Sequence, residues 1–190
     1  MLKKTLLAVV LAALVAPATA FAHARVSPGV ALKGQLELFT LAVPTEKEDA
    51  QTTQVEFTPP GGFAIDSFVP SPGWKRVLQQ TGSGENAVIT KVTWSGGSVP
   101  TGEDAAFSFL AAPSAAKTYT FGVRQTYSNG SVVDWNGPES SDTPSATVDV
   151  KSSLGGGGSS TLAIVALVVG AVGVLLGGLA LVAGGRRSVA

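Results

Sequence analysis

The chain has 190 residues, with 13 basic and 13 acidic side chains, one histidine and no cysteine. The missing cysteines exclude a disulfide framework, and the one methionine, at position 1, leaves no soft sulfur site of the kind Cu(I) prefers. Residues 23–151 carry 13 acids against 9 bases, a formal −4, which speaks against the basic patch that a nucleic-acid partner requires.

Residues 1–22 read as a signal peptide. Lys3 and Lys4 precede the apolar run TLLAVVLAALV (5–15), which is too short to span a bilayer, and Pro17 and small residues follow. Two cleavage points satisfy the small-residue rule. Ala18-Thr19-Ala20 would release a chain starting at Phe21, and Ala20-Phe21-Ala22 one starting at His23.

Period-2 alternation then dominates, in QLELFTLAV (35–43), TQVEF (53–57), FAIDSFV (63–69), AVITKVTW (87–94), AFSFL (106–110), YTFGVRQTY (119–127) and ATVDV (146–150). PPGG (59–62), PSPG (70–73), SGG (95–97), PTG (100–102) and NG (129–130) punctuate these runs as turns. Seven or eight short strands at this spacing predict an all-β fold, an antiparallel β-sandwich built as one compact domain. Asn129-Gly130 predicts a two-residue hairpin turn with both residues at positive φ. It would join 119–127 to a return strand, SVVDW (131–135), with Trp135 at its far end. The polar and turn residues around Trp135 predict an exposed aromatic, whereas Trp74 and Trp94 fit packing roles.

SSLGGGGSS (152–160) reads as a flexible linker with a mean reach of about 16 Å. Residues 162–183 are 22 uncharged apolar or small residues, where about 20 suffice for a transmembrane helix. Arg186 and Arg187 follow, which places the carboxyl end in the cytoplasm and the sandwich outside the cell. The expected organisation is a signal peptide (1–22), an extracellular sandwich (23–151), a linker (152–160), a transmembrane helix (161–184) and a cytoplasmic tail (185–190). Gly173 and Gly177 match the small-xxx-small spacing of helix association.

Either cleavage makes a chelator of His23. As the first residue, its α-amine and ring Nδ1 can close a six-membered ring on a metal, and two nitrogen donors suit Cu(II). As the third residue, in Phe-Ala-His, its imidazole joins the amine and two deprotonated amides in a four-nitrogen square. A terminal histidine supplies only two donors, so the rest must come from oxygen or from elsewhere in the fold. Glu103, just after a turn, is one candidate. Glu46, Glu48 and Asp49 lie in a loop, and Glu139 and Asp142 follow Trp135.

Several stretches resemble the YcnI-like family of exported copper-binding domains. They are HARVSP (23–28), VPTEKE (43–48), PSPGW (70–74), VTWSGGSVPTGE (92–103), QTYSNGSVVDWNGP (125–138) and SSDTPSA (140–146). The resemblance covers His23 to about Val150. It implies an immunoglobulin-like or cupredoxin-like sandwich that holds Cu(II) in a single-histidine brace. Carried over by motif, the amine and imidazole fall on His23, the acidic ligand on Glu103 and the tryptophan beside the metal on Trp135. Asp104 departs from the pattern, which has an aromatic after the glutamate. The family also favours cleavage before His23.

The expected function is a membrane-anchored extracellular Cu(II)-binding protein, not an enzyme, that buffers copper or hands it to a transporter or another copper carrier. The copper-brace enzymes that oxidise polysaccharides use two histidines, and this chain has one. A metal-free surface interaction module is the remaining alternative.

Overall fold

The computed structural model describes residues 23–155 and 161–184. The expected signal peptide, most of the linker and the cytoplasmic tail lie outside the described residues. The chain divides into two compact units at Ser152/Ser153.

The first unit contains eleven described strands: β1 (Arg25–Ser27), β2 (Val30–Leu32), β3 (Glu37–Pro44), β4 (Thr52–Thr58), β5 (Phe63–Phe68), β6 (Lys75–Thr81), β7 (Val88–Val99), β8 (Asp104–Pro113), β9 (Thr118–Tyr127), β10 (Val132–Trp135) and β11 (Ala146–Lys151). They form two sheets. The smaller has the order β1-β3-β8-β5, and the larger β2-β11-β9-β4-β7-β6, with β10 also on β9. Every pairing between these strands is antiparallel except β2 with β11. One edge of β9 is shared: β11 pairs with residues 118–121 and β10 with residues 123–126. The antiparallel sandwich expected from the alternation is thus present, with one parallel pair added.

Alternation decides which side chains meet between the sheets. Phe39, Leu41 and Val43 point inward from β3, and Ala105, Phe107, Phe109 and Ala111 from β8. Val55 and Phe57 meet them from β4, and Tyr119, Phe121 and Val123 from β9. Phe57 stacks on Phe121 at 5.3 Å, and Phe63 meets the edges of Phe39 and Phe121 at 5.0 and 4.8 Å. Trp94 stacks on Phe107 at 4.2 Å. Ring pairs in such geometries add to their burial about 0.5–1.5 kcal/mol each.

The structure departs from the alternation reading where a strand lacks two distinct faces. β6, KRVLQQT, is exposed along its whole length, so no apolar period marks it. It is the outer strand of the larger sheet, and its Lys75 and Arg76 discourage further pairing. β1 and β2 have three residues each, too short to show a period. SGG (95–97) is not a turn; β7 runs through it, with Gly96 at φ 84° and a register shift opposite Thr52–Gln54. The hairpin at Asn129-Gly130 also differs. Gly130 alone has positive φ, at 81°, and the loop has three residues. Gly130 N–H donates to the Tyr127 carbonyl and Tyr127 N–H to the Ser131 carbonyl, both at 2.9 Å. A tight turn followed by a left-handed glycine gives this three-residue form.

The second unit holds one described helix, α1 (Thr161–Gly184), 24 residues long. At 1.5 Å per residue it extends about 36 Å, against about 30 Å of bilayer hydrocarbon. Its stretch Ala163–Ala180 is long and apolar enough to cross a membrane.

Gly97 faces the Trp74 ring so closely that an added Cβ would overlap Trp74 Cε2 and Cζ2. Trp74 in turn packs edge-on against Phe107 at 5.0 Å. Gly97→Ala is therefore expected to cost about 1–3 kcal/mol in urea unfolding. Gly61→Ala, with open space around the new Cβ, is expected to stay within about 0.5 kcal/mol of wild type.

Candidate metal centre

His23 is exposed, just ahead of β1, while its neighbour Ala24 is buried in the core. The β1–β3 register runs Arg25↔Ala42, Val26↔Leu41. Continued by two residues, it sets His23 opposite Pro44. Pro44 in turn pairs with Asp104 on β8. Thr45 N–H donates to the Glu103 carbonyl at 3.0 Å, and Gly102 N–H to the Thr45 carbonyl at 2.9 Å. The smaller sheet therefore carries His23 and Glu103 to the same end, on strands flanking β3. Glu103 is exposed there, and its turn is closed by its own N–H donating to the Pro100 carbonyl at 3.2 Å, with Gly102 at φ 83°.

Asp104, which breaks the family pattern, has a partner. Arg25 Nη2 donates to its Oδ2 at 3.4 Å across β3. The pair links the strand after His23 to the strand after Glu103. Both side chains are well exposed, so its energetic contribution is small.

Trp135 corrects the expectation of an exposed aromatic: it is 1% exposed. The flanking polar residues are exposed, but β10 alternates, and Trp135 is its inward position at the end of the strand. Its indole Nε1 donates to Gln125 Oε1 at 3.0 Å. Gln125 Nε2 donates to the Pro44 carbonyl at 2.8 Å and to Thr52 Oγ1 at 2.6 Å. Thr52 Oγ1 shares a hydrogen bond with Thr45 Oγ1 at 2.7 Å. Through this network Trp135 reaches Pro44, the residue opposite His23. Trp94, by contrast, buries an indole N–H with no partner among the described residues and serves packing.

Gln125 was not among the candidate residues, although the sequence carries a signal for it. In YTFGVRQTY it falls in phase with Tyr119, Phe121, Val123 and Tyr127, all inward, so it is a polar amide at a core position. Thr52 had no such signal, because the bulge beside it breaks the phase.

Of the other acids, Glu139 lines an open cleft of about 850 Å³ together with His23 and Arg25. Its lining also includes Thr118, Thr120 and Thr147, and the loop after β10 supplies Gly137 and Pro138. That loop folds on itself: Gly137 N–H donates to the Thr143 carbonyl at 2.9 Å and Ser145 N–H to the Gly137 carbonyl at 3.0 Å. Asp142 is exposed in the same loop. Glu46, Glu48 and Asp49 are exposed in the loop between β3 and β4. Thr101 Oγ1 ties that loop to the Glu103 turn by donating to the Glu48 carbonyl at 3.2 Å.

Among the described residues, no three His, Asp or Glu side chains gather closely enough to hold a metal. Were His23 the first residue, its α-amine would add a second nitrogen donor to its imidazole, and with one carboxylate the set would be nitrogen-rich, as suits Cu(II).

Two facing sheets with their polar chemistry gathered at one end define an immunoglobulin-like β-sandwich domain. The solved structure of an uncharacterized protein from Nocardia farcinica, described as having an immunoglobulin-like fold, matches with a TM-score of 0.57 and 30% identity. The match covers 67% of this chain and 97% of that one. The chain belongs to the family described as Domain of unknown function (DUF1775), which matches residues 23–150, and the YcnI-like resemblance of its motifs is thereby borne out. Copper-binding protein CutI of Bacillus subtilis (strain 168) is 32% identical over 183 residues, spanning 87% of each chain.

Tyr127, one strand turn from the Gln125 network, carries a shifted phenol. Burial pushes it above the ordinary 10.0, the Glu46 carboxylate raises it further, and a hydrogen bond with the Glu46 backbone opposes the rise. The folded state thus holds this proton more tightly than the unfolded chain does. The resulting stability is full below about pH 10 and is lost as pH climbs from there through the raised value. Alkaline unfolding titrations should show this slope in wild type and a shallower one in Tyr127→Phe.

Proposed function

We propose that this chain is a membrane-anchored, extracellular Cu(II)-binding protein that buffers copper or delivers it to a transporter or another carrier. Cleavage before His23 frees the α-amine, and amine and imidazole hold the ion from one residue. Glu103 supplies the carboxylate, and Trp135 lies behind the site. One observation carries this reading: the family match begins at His23, and the strand register turns that residue toward the end of the sandwich that bears Glu103. The name of the Bacillus subtilis relative supports copper as the ion.

Copper is cargo here. Protons compete with it for the amine and the imidazole, so uptake releases protons and weakens as pH falls. His23 and Glu103 are both exposed, so a receiving protein can approach the ion without the sandwich opening. α1 would hold the domain at the membrane surface. Such a role requires binding and release and no bond-making step, so we read the chain as a carrier and not an enzyme.

Intact mass of the exported protein, with and without Cu(II), tests the terminus and the stoichiometry together. The expected mass begins at His23 and gains one copper. A mass beginning at Phe21 would replace the brace with a Phe-Ala-His tail, and His23→Ala retaining one tight equivalent would sink the reading. The carboxylate is tested separately. Glu103→Gln is expected to weaken Cu(II) about tenfold or more, a loss of about 1.4 kcal/mol or more, whereas Glu139→Gln should stay near wild type. The reverse ranking would move the oxygen ligand to the cleft loop.

A further inference from the structure

We infer that Gln125 is the positioning residue of the copper site, the one side chain that locks Trp135 to the strand end opposite His23; this rests on the copper reading above. Gln125 sits on β9 of the larger sheet and is fully buried. Its partner Pro44 ends β3 in the smaller sheet. The amide therefore bridges the two sheets at this end, beside the Thr45–Thr52 hydroxyl pair.

The chemistry of the partners dictates its orientation. An indole N–H can only donate, so it requires Gln125 Oε1. The Pro44 carbonyl can only accept, so it requires Nε2. A flipped amide would set donor against donor and acceptor against acceptor in a region without water access. Nε2 spends its second proton on Thr52 Oγ1, which leaves the Thr52 hydroxyl proton free for Thr45 Oγ1. Thr45 then holds the Glu103 turn through two backbone hydrogen bonds. Trp135, Gln125, Thr52 and Thr45 are each no more than 2% exposed. A chain of directional bonds thus runs from Trp135, past the residue opposite His23, to the turn bearing Glu103.

A burial role alone would be met by leucine, which fills the volume without three polar partners. An amide costs more to bury and is stabilising only while every bond is made. Its gain is geometric: neither sheet can slide at this end without breaking a bond. Partners that orient the residues of a metal site commonly change affinity about 10–100-fold when removed.

The test uses the full exported chain in detergent micelles. Cu(II) affinity is read by chelator competition, the Cu(II) EPR spectrum reports coordination, and the Trp135 indole N–H resonance is followed in the metal-free protein. Far-UV CD checks the fold. Gln125→Leu is expected to weaken Cu(II) about 10–100-fold, to alter the EPR spectrum and to shift the indole resonance. Thr52→Val, a milder change, should weaken Cu(II) about two- to tenfold, and Thr52→Ser should restore the wild-type value. Either folded variant, Gln125→Leu or Thr52→Val, with wild-type affinity and spectrum overturns the inference, even where its thermal stability has dropped. If Gln125→Leu does not fold, the Thr52 pair decides on the same criteria. Wild-type chain that takes up no Cu(II) overturns the copper reading and this inference with it. Wild-type binding that is lost in His23→Ala but unchanged in Gln125→Leu overturns this inference alone.

Discussion

The two sheets are held together by aromatic rings projected from alternate positions of strands on both sides. Phe57 and Phe121 stack from the larger sheet, Phe39 and Phe109 from the smaller, and Phe63 wedges its face and edge between the two sets. The chain has no cysteine, so no covalent link shares this task. Large flat side chains bury much area with few rotatable bonds, which suits a domain of modest size that relies on its core alone. The hydrogen-bonded end of the sandwich depends on this packing, because it sets the spacing across which Gln125 reaches Pro44.

Toward that end the character of the core changes. Apolar side chains give way to Gln125, Thr52 and Thr45, all buried and hydrogen-bonded in series, Gln125 to Thr52 and Thr52 to Thr45. Apolar contacts tolerate small displacements, since dispersion is not directional. Hydrogen bonds do not, because their strength falls steeply with angle. The sandwich thus combines a compliant aromatic middle with a directional polar end, and that end bears Trp135 and, through Thr45, the Glu103 turn.

Much of the fold was legible in the alternation, because inward and outward positions of a half-buried strand differ in polarity. That signal located the strands around 37–44, 104–113 and 118–127 and defined their buried faces. It was silent on β6, where both faces meet solvent, and misleading at SGG, where glycines mark a bulge and not a turn. Trp135 shows the same limit at the site. Its neighbours along the chain are polar, but burial is set by neighbours in space, and Gln125 lies ten residues away.

By itself the sequence determined the sandwich class, the apolar carboxyl-terminal helix and the uniqueness of His23, since periodicity, length of apolar run and residue identity are properties of the chain alone. Tertiary structure decided which residues stand together. It paired β1 with β3 just after His23, gave Asp104 a partner in Arg25, placed Glu139 on the cleft wall and turned Trp135 inward onto an amide. These depend on strand register and sheet stacking, which join residues such as Pro44 and Gln125, 81 positions apart, and no local pattern encodes a distance of that kind.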